Sequence, residues 1–224
     1  MLGTVGIARP RGALAALIVA AALAALAIGS LPDASAMGGH ARQTTKKALA
    51  LHDGMRALWE SHGTWTERAI VDFVGGLPDT QLAIKRLLGN QAQIGNAVKP
   101  FYGRKAGNRL TKLLKGHINA AVAVLEAAKS GNADATAQAL KAFHANGNQI
   151  ARFLHAANPH HWGLRAMKKM MRVHLNQVVD LAVDQLQGHY AAAVRLYDVY
   201  IGHILDMADM LSEGIVEQFP ARFR

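Results

Sequence analysis

Met170-Met171-Arg172-Val173-His174 has two altered counterparts upstream, Leu113-Leu114-Lys115-Gly116-His117 and Leu58-Trp59-Glu60-Ser61-His62. In each, two large apolar residues stand four and three positions ahead of a histidine, so all three share one face of a helix. The histidines follow one another at intervals of 55 and 57 residues. That is too long for one helix of ordinary length and suits a repeated helix–turn–helix unit.

A second polar position follows each histidine, at 28, 29 and 29 residues: Asn90, Asn146 and His203. Leu87, Phe143 and Tyr200 lie three residues before it, Ile94, Ile150 and Met207 four after, and Val98, Leu154 and Leu211 eight after. These offsets also trace one helical face. Turn signals fall in register between the two segments of each unit: Gly75-Gly76-Leu77-Pro78-Asp79, Ser130-Gly131-Asn132 and Gln187-Gly188. Lys99-Pro100-Phe101-Tyr102-Gly103 and Asn158-Pro159 separate the units, where proline and glycine interrupt a helix. No stretch alternates apolar and polar residues as a strand does. The predicted fold is all-α, a six-helix bundle of three pseudo-repeated antiparallel hairpins over about 46–100, 101–158 and 162–218.

Ahead of the bundle, Arg9 and Arg11 precede the apolar run Ala13 to Gly29, and Ala34-Ser35-Ala36 has the small-x-small form of a cleavage site. Residues 1–36 therefore read as a secretory signal, with an N-terminal membrane anchor as the alternative, and 37–45 as a flexible lead. Either reading places the folded part, periplasmic or extracellular, outside the cytoplasm.

The full chain carries a formal charge of +10. Loss of Arg9, Arg11 and Asp33 with the leader leaves +9 over 188 residues (224 less 36), enough for one domain with a real core. Lys and Arg are scattered rather than packed with aromatics, which argues against nucleic acid and leaves weak contact with an anionic membrane or cell-wall surface as a partner reading. The chain contains no cysteine. Disulfides and thiolate chemistry are excluded, and stability must come from helix packing.

His62, Asn90, His117, Asn146, His174 and His203 all interrupt apolar stripes. A buried polar group without a partner costs about 1–3 kcal/mol, so these six should meet one another, water or a ligand. One reading pairs them within hairpins, His62 with Asn90, His117 with Asn146 and His174 with His203, as a layer that fixes helix register. The other brings His62, His117 and His174 onto a common axis, joined by His203 and by Asp206 one turn on, where imidazoles suit zinc, copper, nickel or haem iron. Met170, Met171, Met207 and Met210 lie close enough to add soft donors for copper, although methionine at helical spacing also fills cores.

Enzyme motifs are absent: there is no Gly-x-Ser-x-Gly and no His-Glu-x-x-His. The loop Pro159-His160-His161-Trp162 reads as a solvated linker and Gly103-Arg104-Lys105-Ala106-Gly107-Asn108 as a turn.

The runs Leu58 to Thr66, Asn90 to Pro100 and His203 to Leu211 resemble an uncharacterised bacterial helical protein family, some of whose members carry the label glycosyltransferase. The resemblance covers nearly the whole chain after the leader and implies a helical fold, with no functional residues to carry over. The label does not fit these residues, which have neither alternating strands and helices nor an Asp-x-Asp motif.

Overall fold

The computed structural model describes residues 45–224. The leader expected over 1–36 and the lead up to residue 44 lie outside the described residues. Six helices follow in order: α1 (Lys46–Gly75), α2 (Thr80–Ala97), α3 (Lys99–Ser130), α4 (Ala133–Ala157), α5 (Leu164–Gln187) and α6 (Tyr190–Gln218). A 3-10 turn over Pro220–Phe223 ends the chain. The protein is an all-α bundle, and there is no strand among the described residues.

The helix limits follow from local chemistry. Thr45 caps α1 by accepting from the Ala48 amide at 3.2 Å, and Asn132 caps α4 by accepting from Ala135 at 2.9 Å. Gly76, Gly131 and Gly188 end α1, α3 and α5 at φ of 67°, 74° and 75°, a left-handed backbone that glycine adopts without a Cβ clash. Lys129 adds a second cap by donating to the Phe73 carbonyl at 2.7 Å, so the last turn of α3 closes the C-terminus of α1. Helix α3 is not continuous: Gly103, at φ 82° and ψ 166°, breaks it after the Pro100-containing first turn. The turn expected there is thus a single positive-φ glycine, after which the helix resumes, rather than a loop.

Each helix packs on its neighbour in sequence, and α6 returns against α1 to close the ring. At that closure Lys47 Nζ donates to the Arg224 carbonyl at 2.8 Å. Helix α1 also touches α3 and α5 across the interior. Helices α2 and α3 approach closely at Gly95 and Gly107, where a Cβ on Gly95 would sit 2.7 Å from the Gly107 carbonyl.

Trp162 corrects the linker reading. Its ring is 2 % exposed and lies against Gly214 on α6, and its indole N–H donates to the Met210 carbonyl at 3.3 Å. Asn158, fully buried, donates to the Gly214 carbonyl at 2.8 Å. His160 and His161 remain exposed on this anchored loop.

Candidate functional site

His62 on α1, His117 on α3 and His174 on α5 are all buried. The His174 ring stands between the other two, 5.8 Å from His62 and 5.6 Å from His117, centroid to centroid. Aromatic rings wall the layer. Trp59 meets His62 edge-on at 5.6 Å, Phe143 stacks on His117 at 4.7 Å and Tyr200 stacks on His174 at 5.8 Å.

The hydrogen bonds set the tautomers. Asn146 donates through Nδ2 to the Leu113 carbonyl at 3.2 Å, which turns its Oδ1 toward His117 Nδ1 at 3.1 Å. His117 Nδ1 must therefore donate, leaving the lone pair on Nε2. His62 is the reverse case, since its Nδ1 accepts from Gln91 Nε2 at 3.0 Å. His174 Nδ1 is buried with no partner.

Burial makes charging this layer costly. It lowers His62 to about 3, with His117 as the second cause, and lowers His117 to about 4, opposed by the bond to Asn146. His174 falls well below the ordinary 6.5 through burial and then through its histidine neighbours. All three are neutral at physiological pH, which is the form that binds metal ions.

Of the three pairings expected within hairpins, His117 with Asn146 is made, and the other two are not made as hydrogen bonds. Asn90 donates to the Leu58 carbonyl at 2.9 Å, and its neighbour Gln91 is what meets His62. His203 is half-buried, its ring 6.5 Å from that of His174, and its Nε2 donates to the Met170 carbonyl at 3.3 Å. Burial lowers its pKa, opposed by that bond and by Asp206. Asp206 itself is exposed and stands outside the layer. Asp209, one turn further on, pairs with Arg56 at 2.6 Å and with His52 at 3.0 Å.

Two cavities flank the histidines along the bundle. One, about 40 Å³, is bordered by His62, His117 and His174 with Thr66 and otherwise apolar side chains. The other, about 30 Å³, is bordered by the same three histidines and by Met55, Met170, Met171 and Met207. Both exceed the roughly 10–15 Å³ that one water needs. Both fall far below the roughly 300 Å³ or more of an organic cofactor site, so haem has no room in this packing. Thr66 Oγ1 and the Tyr200 hydroxyl are further buried polar atoms without a hydrogen-bond partner.

Among the described residues, no group of three or more His, Asp and Glu side chains is arranged to hold a metal ion by itself. No helix among them is long and apolar enough to cross a membrane.

The sequence pattern marks neither Gln91 nor Thr66, and it marks Tyr200 only as a residue of the apolar face. Gln91 follows Asn90 directly, a step of 100° around the helix that takes it off the marked stripe. The structure buries both because α2 is held between α1 and α3. No family model, curated protein or solved structure matches this chain.

Proposed function

We propose that this is an exported helical protein that binds one metal ion at the His62–His117–His174 layer. The carrying observation is the convergence of three buried, neutral imidazoles from three helices, of which His174 keeps a buried nitrogen without a partner. Support comes from His117, whose Nδ1–H is anchored on an oriented amide oxygen. An outer hydrogen bond of this kind fixes the free nitrogen of a metal-ligating histidine. His203, whose Nε2 is held by a carbonyl, and the exposed Asp206 stand outside this ligand set.

We further read the bundle as three diverged copies of one helical hairpin. Asn90, Asn146 and His203 each donate to the carbonyl four residues ahead of the aligned histidine, at Leu58, Leu113 and Met170. The same three bonds favour a second reading, in which the polar layer only fixes helix register and the protein acts through its basic surface.

Elemental analysis of the untagged protein, purified as the producing cell processes it, separates the two. Near-stoichiometric metal that is lost from a folded His117→Ala/His174→Ala variant supports the binding reading. No metal on purification, and none taken up when zinc, copper, nickel or iron is added, leaves the register reading.

A further inference from the structure

The imidazoles do not make a three-ligand set on their own. His62 accepts at Nδ1 and so carries its proton on Nε2, where a ligand lone pair would have to be. The nitrogen donors that remain open are His117 Nε2 and the unpartnered Nδ1 of His174. Bare ions of the zinc type take about four donors, so a site centred here needs others.

Thioethers supply them on one side only. The 30 Å³ cavity that touches His117 and His174 is also bordered by Met55 from α1, Met170 and Met171 from α5 and Met207 from α6. Of the methionines in the helical region, only Met167 and Met210 stand apart from it. The 40 Å³ cavity on the other side has no methionine, and no carboxylate borders either one.

Hard ions and zinc favour carboxylate, imidazole or thiolate, whereas thioether sulfur selects monovalent copper. Because the chain has no cysteine, thioethers are its only soft donors. Unlike thiolates, they cannot be lost to disulfide formation in an oxidising compartment.

Building on the metal-binding reading, we infer that the ion is Cu(I), held on the methionine side of the layer by His117 and His174 together with two of the sulfurs offered by Met170, Met171 and Met207. Leucine replaces methionine in a core at nearly constant volume, so donor loss can be separated from unfolding.

The test titrates the purified protein with Cu(I) under ascorbate, using bicinchoninate as competing chelator, and in parallel with Zn(II). It is repeated on Met170→Leu/Met171→Leu/Met207→Leu and on the control Met167→Leu, with circular dichroism and Tm recorded for each. The expected result is a one-to-one Cu(I) complex, weakened at least tenfold in the triple variant and unchanged in Met167→Leu, with sulfur scatterers around copper in X-ray absorption of the wild-type complex. An all-nitrogen copper shell, or Cu(I) binding untouched by the triple variant, overturns the inference. So does Zn(II) binding without Cu(I) binding, although that outcome leaves the metal-binding reading standing. Binding of neither ion overturns both.

Discussion

His117 and His174 belong to α3 and α5, which are not consecutive in the chain, yet their rings stand 5.6 Å apart and are tilted by only 31°. Two neutral imidazoles can share that space, whereas two imidazolium ions would repel one another in a site already short of solvent. Protonation and packing are therefore linked at the centre of the bundle.

Proton placement is the most direct consequence. His117 should carry its proton on Nδ1, because an amide oxygen faces it, while His62 and His203 should carry theirs on Nε2. Long-range ¹⁵N–¹H correlation of the imidazoles at pH 7 reads the tautomers residue by residue. An Nε2–H form at His117 would remove the free lone pair on which the proposed ligand role depends.

Stability should fall as the solution is acidified below about pH 6.5. Burial holds His62 at about 3 and His117 at about 4, against 6.5 for both when exposed. Between those limits the unfolded chain binds protons that the folded chain refuses, so stability rises with pH through the window and levels off above it. Each such histidine contributes a slope approaching ~1.4 kcal/mol per pH unit. Urea midpoints of metal-free protein at pH 7.5, 6.0 and 5.0 measure it, and equal midpoints at the three values would show that the layer is hydrated.

Removing a polar column residue should cost more than its size suggests. Asn90→Ala deletes the donor to the Leu58 carbonyl, and it also removes an oxygen beside Gln91 Nε2, whose two hydrogens are shared with the Leu87 carbonyl and His62. A loss of about 1–3 kcal/mol is expected from urea denaturation. Asn90→Asp, which substitutes an acceptor for the donor and adds a buried charge, should be worse than alanine.

Two glycines of α2 should respond with opposite sign. A Cβ at Gly89 meets nothing within 4 Å, so Gly89→Ala should stabilise by about 0.5–1 kcal/mol through helix propensity. At Gly95 the same Cβ would overlap Thr111 Oγ1 and lie 2.7 Å from the Gly107 carbonyl. Gly95→Ala must push α2 from α3 and should cost about 1–3 kcal/mol. Thermal unfolding of the two variants side by side tests the crossing, and equal effects would mean that the helices are not in close contact there.

The sequence resolved what depends on helical period. The glycine-marked ends of α1, α3 and α5 follow from turn residues, and the burial of His62, His117 and His174 follows from spacing, because 3.6-residue periodicity decides which side of a helix meets the core. Partner identity followed only for His117 with Asn146. Gln91 rather than Asn90 meets His62, because α2 is enclosed on two sides and buries a wider face than one stripe. The run Pro159 to Trp162 reads as a solvated linker, and nothing in it marks Trp162 as core. Its true place is set by Gly214, a distant glycine on α6 whose missing side chain makes the pocket for the indole. The contact between α1 and α5 that brings His62 beside His174 is likewise tertiary, and no local pattern encodes it.

The return of α6 against α1, with Lys47 bonded to the carbonyl of Arg224, makes the order of helices cyclic in space although it is linear in the chain. Each helix has the same two lateral neighbours wherever the ring is cut. A circular permutant joined near Lys47 and opened at Gly188 would keep every helix pairing and the whole histidine layer, so the identity of the site is a property of the closed ring and not of where translation starts it.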